Sequence, residues 1–242
     1  MKPFIDAAMA ACQEIQTLVL HNDVSLFTAH TSGFGGDISR GVDLQAESIC
    51  HRHLSPFGSV FSEESGWMGE KSSITIVLDP IDGSDNFISA FPYYGVSLCR
   101  LQNGTATDAI VCNLVNGNVF VRTPDEYYKC TLKTPYVKLP VLVNPFAKIG
   151  LFEKAAEHPA LIKILMENKL KFRSPGALAL SLAYAPYVKY MLFLGTMRPY
   201  DIQAGLYLSQ HLHFIQDERY ILVSADKEVF EQIRSIVEKE YF

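Results

Sequence analysis

The chain has 242 residues, 48 % of them hydrophobic, and a mean hydropathy of +0.10, which suffices for one domain or two small ones with a sizeable core and excludes intrinsic disorder. A formal net charge of −5 argues against non-specific nucleic-acid binding, so no nucleic-acid polymer is expected as a partner. The five cysteines (Cys12, Cys50, Cys99, Cys112, Cys130) are odd in number, widely spaced and without a CxxC pair, which reads as reduced, packed thiols in a cytoplasmic protein. His51 and His53 lie two apart, as do His211 and His213, and there is no HExxH, so zinc-ligand pairs on a helix are not expected.

Residues 3–20 place Ile5, Met9, Cys12, Ile15 and Val19 on one side of an amphipathic helix. Asp6 and Glu14 interrupt that apolar stretch, so it does not read as a signal peptide. Residues 31–36 form a Gly-rich loop without the Gly-Lys-Ser/Thr ending of a P-loop, which excludes a nucleoside-triphosphatase. A second helix is predicted over 42–54, followed by strands near 58–62, 74–79, 94–102, 105–114, 117–123 and 127–132. Asn103-Gly104 and Asn116-Gly117 are hairpin signals between strand-like runs. After Pro135 the pattern alternates: strand 137–143, helix 150–168, strand 170–174, helix 176–185, strand 188–194, helix 199–211, strand 219–224, helix 226–240. The most apolar window, 176–195, is broken by Pro186 and Lys189 and reads as a helix then a strand, not a membrane span. The fold class is therefore α+β, with an antiparallel-sheet half over 1–135 and an α/β half over 136–242.

The chemistry concentrates at Asp79-Pro80-Ile81-Asp82-Gly83-Ser84-Asp85-Asn86-Phe87, directly after the β-branched run Ile74-Thr75-Ile76-Val77-Leu78. Three carboxylates at the end of a buried strand repel one another unless a cation holds them, and hard oxygen ligands suit Mg²⁺. An Asp/Gly/Pro turn is the plain alternative. Further acids stand in Phe61-Ser62-Glu63-Glu64-Ser65-Gly66, in Asp37 to Glu47, and in Pro199-Tyr200-Asp201-Ile202-Gln203-Ala204-Gly205. Gly83 and Ser84 open a helix whose amides and dipole suit a phosphate; as a plain helix cap, Ser84 would serve equally, and Asp201 has the same alternative.

In their order, these motifs resemble the inositol monophosphatase family of the fructose-1,6-bisphosphatase-like superfamily. Residues 79–87 fit the central motif D-P-[IL]-D-G-[ST]-x-N-[FY] at every position. The second motif, W-D-x-A-[AG]-G, is matched with Tyr200 in place of Trp and Gln203 in place of a small residue. The resemblance implies a layered α-β-α-β-α sandwich with the active site in the cleft between the halves. It implies a lithium-sensitive, metal-dependent hydrolase of phosphate monoesters, usually dimeric, using two or three Mg²⁺ ions to activate water for in-line attack on a small phosphorylated metabolite. Glu63, Asp79 and the Ile81 carbonyl would hold one ion, and Asp79, Asp82 and Asp201 the second. Asp43 would lie near a third ion, with Glu63 and Ser84 orienting the attacking water and Glu64 a neighbour.

Substrate choice is where the chain departs from the pattern of the family it resembles. Inositol-selective members carry a glutamate seven residues before the second-motif aspartate; here that position is Leu194. Arg198 and Arg173 are expected near the same part of the cleft, where arginine suits a second phosphate or a carboxylate, although each could be a surface charge or a helix-end ion pair. Fructose-1,6-bisphosphate, a nucleotide 3′-phosphate and histidinol phosphate are served by relatives. A non-catalytic binding protein on the same fold is the reading from another class.

Overall fold

The computed structural model describes residues 3–133 and 136–241. Helices α1 (Pro3–His21) and α2 (Gly41–Leu54) flank a hairpin of β1 (Ala29–Ser32) and β2 (Ile38–Arg40). Then come β3 (Ser59–Ser62), β4 (Gly66–Met68), β5 (Ile74–Asp82), the short helix α3 (Ser84–Ile88), β6 (Gly95–Gln102), β7 (Thr105–Asn113), β8 (Asn118–Arg122), β9 (Tyr127–Thr131) and the two-residue β10 (Leu139–Pro140). The rest of the chain forms β11 (Gly150–Glu153), α4 (Pro159–Glu167), β12 (Phe172–Arg173), α5 (Leu178–Ala183), β13 (Met191–Leu194), α6 (Pro199–Ser209), β14 (His213–Gln216), β15 (Tyr220–Ser224) and α7 (Lys227–Ile236).

Two large sheets result. One is eight-stranded in the order β10-β9-β8-β7-β6-β5-β3-β4, antiparallel except where β3 runs parallel to β5. The other is five-stranded in the order β12-β11-β13-β15-β14, parallel through its first three strands. Side-chain alternation sorts each strand between two cores. Ile76 and Leu78 of β5 pack with Ile5, Met9, Cys12 and Val42 of α1 and α2, whereas Val77 between them faces Leu180, Tyr200 and Ala204 of α5 and α6. Met191 and Phe193 of β13 meet Leu182 and Ile202 from the other side of that helical layer, and Leu192 and Leu194 face Leu161, Leu165, Phe230 and Ile233 of α4 and α7. The layers therefore run α1/α2, first sheet, α5/α6, second sheet, α4/α7: the α-β-α-β-α sandwich expected of the family resemblance.

The connection between the sheets departs from the sequence reading. Of the strand predicted over 137–143 only Leu139–Pro140 is extended, and it pairs with Lys129 and Tyr128 on the edge of the first sheet. The second sheet opens at Gly150–Glu153, where a helix was predicted to begin. All four of those residues are buried, so the period-two pattern of a half-exposed strand is missing and a short apolar run is ambiguous. Helix α4 starts only at Pro159, in its first turn. The edge strand β14, mostly exposed, and the short β1, β2 and β4 carry too little pattern to be recognised in sequence.

Candidate metal centre and active site

The site grows from the parallel pairing of β3 with β5. Ser62 is in register with Leu78, so the residues that follow, Glu63 and Asp79, emerge side by side, and the Glu63 amide donates to the Leu78 carbonyl at 3.0 Å. On its other side β5 pairs with β6, but Asp79 faces Ser97 and Asp82 faces Gly95, so β5 takes three steps where β6 takes two. This bulge falls at Pro80 and Ile81, which accommodates a proline inside a central strand and turns Asp82 toward the second sheet. Gly83 then adopts the left-handed conformation (φ 87°, ψ 42°) that lets the chain reverse into α3, with Ser84 as the first helical residue. The Asn86 side-chain amide donates to the carbonyls of Tyr93 and Pro175, both at 2.7 Å, tying this turn to the loop before α5.

Asp201 reaches the cluster from α6. Its place is the third residue of the helix, after Arg198 at the cap and Pro199 and Tyr200, and the cap makes no side-chain hydrogen bond. The helix-cap alternative for Asp201 is therefore not what the structure shows, nor is it for Ser84, since Gly83 occupies the cap of α3. Among the described residues, oxygens of Glu63, Asp79 and Asp201 lie within 4.8 Å of one another. Asp82 stands just outside this group, its Oδ2 accepting the Leu180 amide of α5 at 2.8 Å. Asp43 sits in the first turn of α2, buried, with its Oδ2 accepting the Arg40 amide at 2.7 Å. The capping role is real there, and Asp43 also lines the cleft.

Burial and mutual repulsion dominate the electrostatics. Burial pushes the Glu63 carboxyl up to about 8, with repulsion from Asp201 added and Arg198 opposing. Asp82 is likewise pushed up by burial to about 8 against the stabilising Leu180 amide, and Asp43 to about 7 against the Arg40 amide. Asp79 is driven well above the usual carboxylate range by burial and then by Glu63, Asp82 and Asp201. Its Oδ1 is buried and has no hydrogen-bond partner among the described residues. A buried acceptor without a donor is costly, and hard oxygens converging on it are what a divalent cation requires. The residues present therefore fit a metal ion, with Glu63, Asp79 and Asp201, and Asp82 beside them, as the groups that could hold it.

The cleft around this cluster has a volume of about 840 Å³, and Gly83, Ser84, Ile81 and Arg198 line it. Arg198 is heavily engaged. Its Nε donates to Asp201 at 2.7 Å, Nη1 to Asp37 at 2.6 Å, and Nη2 lies 3.2 Å from Glu63. Burial opposes its charge, but Asp201, Asp37 and Glu63 outweigh that and hold it firmly protonated. Two expected substrate-side residues lie elsewhere. Arg173 is exposed, bonds the carbonyl of Phe172 and is not among the cleft residues. Leu194 is buried against α4 and α7, because the alternation of β13 turns its neighbour Phe193, not Leu194, toward the cleft.

Glu153, Lys154, Ser174 and Thr196 also line the cleft and were not singled out in the sequence. Glu153 is buried at the end of β11, where it accepts the Gly176 amide at 2.9 Å and the Ser181 hydroxyl, so it fixes the loop that leads into α5. A lone acid after a short apolar run carries no spacing signal; the one available cue was its position at the C-terminal end of a parallel strand, where α/β sheets present their functional groups.

Comparison with known proteins agrees with this architecture. The sequence model of the group described as "Inositol monophosphatase family" matches residues 1–210. The fructose-1,6-bisphosphatase of Pyrococcus furiosus is 27 % identical over 186 residues, covering 72 % of this chain and 68 % of that protein. The Nus factor SuhB of Escherichia coli K12 is 26 % identical over 217 residues, covering 85 % and 81 %. Among solved structures, the extragenic suppressor protein SuhB of Bartonella henselae superposes with a TM-score of 0.78 at 20 % identity, covering 99 % of this chain and 98 % of that one. The inositol monophosphatase of Thermotoga maritima gives 0.77 at 20 % identity, covering 97 % and 98 %. With the family matched over most of its length and the acidic cluster assembled in the cleft, the chain belongs to the inositol monophosphatase family and is a metal-dependent phosphatase.

Proposed function

We propose that the protein hydrolyses the phosphomonoester of a small phosphorylated metabolite with Mg²⁺ as its ion. The observation that carries this reading is the buried, donorless Oδ1 of Asp79 among converging carboxylates. Glu63, Asp79 and the Ile81 carbonyl are assigned to one ion, Asp79, Asp82 and Asp201 to a second, and Asp43 to the neighbourhood of a third. Bound there, the ions would neutralise phosphoryl charge and lower the pKa of the attacking water. The Ser84 hydroxyl and Glu63 orient that water, and Gly83 and Ser84 receive the phosphate at the start of α3. Inositol-1-phosphate, fructose-1,6-bisphosphate and a nucleotide 3′-phosphate are the candidate substrates within the family.

Metal-stripped protein should release no phosphate from p-nitrophenyl phosphate, and millimolar Mg²⁺ should restore release, with Li⁺ inhibiting. Full release in excess EDTA would overturn the mechanism. Absence of release with every divalent cation would favour the non-catalytic reading, to which the name Nus factor carried by some relatives belongs.

A further inference from the structure

Arginine and lysine side chains enter the cleft at three points: Arg40 beside Asp43, Arg198, and Lys154 on the wall formed by the second sheet. Arg198 is shared among Asp37, Glu63 and Asp201, and so has little capacity left for a ligand. Lys154 is different on three counts. Its backbone is left-handed (φ 56°, ψ 26°), a conformation that disfavours any residue with a Cβ unless something else requires the side chain there. Its stem is bedded in the wall: Nζ lies 6.0 Å from the centre of the Phe193 ring, and a Cβ placed on Gly195 would come within 3.3 Å of Lys154 Cδ. Its ammonium is exposed and makes no ion pair among the described residues, although it is close enough to Asp201 to stabilise that carboxylate's charge. The hydroxyl residues Ser174 and Thr196 stand on the same side of the cleft.

An uncommitted ammonium, held on a strained turn and facing a cleft with an acidic floor, is suited to an anion that does not itself sit on the metal ions. We propose that Lys154 binds a second anionic group, a phosphate or a carboxylate, on the alcohol half of the ester, and so sets the enzyme's preference for doubly anionic substrates. The proposal rests on the phosphatase reading above. It moves the selection of such substrates from Arg198 to Lys154 and gives the left-handed lysine a reason to persist where glycine or asparagine would be less strained.

The test uses matched pairs of probes that differ only in the second anion: fructose 1,6-bisphosphate against fructose 1-phosphate, and 2-phosphoglycerate against glycerol 2-phosphate. Lys154→Met should raise KM about tenfold for the doubly anionic member of a pair, with kcat within about twofold and the singly anionic member unaffected. Lys154→Arg should retain most of the preference. Lys154→Gly, which relieves the backbone and cannot unfold the turn through strain, should show the same selective KM rise as the methionine variant. A rise confined to the bisphosphate identifies phosphate as the second group; one confined to phosphoglycerate identifies carboxylate. The same comparison made by calorimetric binding with Ca²⁺ in place of Mg²⁺ needs no turnover, so it separates failure of this proposal from failure of the phosphatase reading. Equal effects on both members of each pair, or no effect on either, overturn the proposal.

Discussion

Asp82 meets two demands at once: it is a buried acid among acids, yet its Oδ2 is held by the Leu180 amide at 2.8 Å. Asparagine satisfies the second demand and removes the first, since its carbonyl oxygen can still accept that bond while a negative charge leaves the cluster. Asp82→Asn should therefore lower phosphate release by on the order of 100-fold or more, by loss of an anionic ligand. Above pH 8, where Asp82 has lost its proton, it should also raise the melting temperature of the metal-free protein by about 2–4 °C, the shift that ~1 kcal/mol of relieved repulsion produces in a chain of this size. Unchanged activity at saturating Mg²⁺ would remove Asp82 from the metal centre. The site residues Asp79, Ile81, Asp82, Gly83 and Ser84 were legible in sequence because all five fall within one tight turn, where order along the chain is nearly order in space. Leu194 was not, because on a strand a single step decides which face a side chain joins, and the resemblance fixed its position without fixing its direction. Lys154 was invisible for a related reason: a lone lysine after a short buried strand belongs to no motif, and its left-handed backbone is set in the fold and not by its residue type.

The middle layer of helices α5 and α6 serves both sheets and carries Asp201, while the amides of α5 hold Asp82. The two helices touch at Gly205, where an added Cβ would lie 2.4 Å from Leu182 Cβ. That neighbour is the root of a side chain and cannot swing aside, so the helices themselves must part. Gly205→Ala should cost about 1–3 kcal/mol of stability in denaturant unfolding and weaken metal binding as Asp201 is displaced. A variant as stable as the parent, with unaltered metal affinity, would mean that the layer is more compliant than its packing indicates. Helices α1 and α2 were readable because burial on one face writes a repeat into the sequence, and β6 to β8, buried on both faces over most of their length, because the turns at Asn103-Gly104 and Asn116-Gly117 mark where they end. The fully buried β11 and the exposed edge strand β14 have no such contrast between faces, which is why the chain between 137 and 216 was read less well than the chain before it.

At the scale of the molecule the acidic cluster couples folding to pH. Asp43, Glu63 and Asp82 hold their protons to about 7, 8 and 8 in the folded, metal-free protein, whereas in the unfolded chain they ionise near pH 4. Between those limits the folded state binds more protons than the unfolded one, so stability declines with rising pH. The contribution is complete below about pH 4 and is lost as pH climbs through 7 and 8. EDTA-treated protein should accordingly melt at progressively lower temperature from about pH 5 to pH 8, and Mg²⁺ should abolish that decline, since the ion replaces the protons and favours the folded state by mass action. A metal-free melting temperature that rises over this range would contradict the cluster's electrostatics.

The parallel ladder between β3 and β5 has a consequence for how this chain can change in length. Glu63 and Asp79 are set side by side by strand register, so their spacing owes nothing to the path the chain takes between the strands. Residues 69–73, on that path, are exposed at the rim of the sheet. Foreign sequence spliced there, whether an affinity tag or a whole domain whose ends lie close together, would ride outside the sandwich and leave the two acids in place.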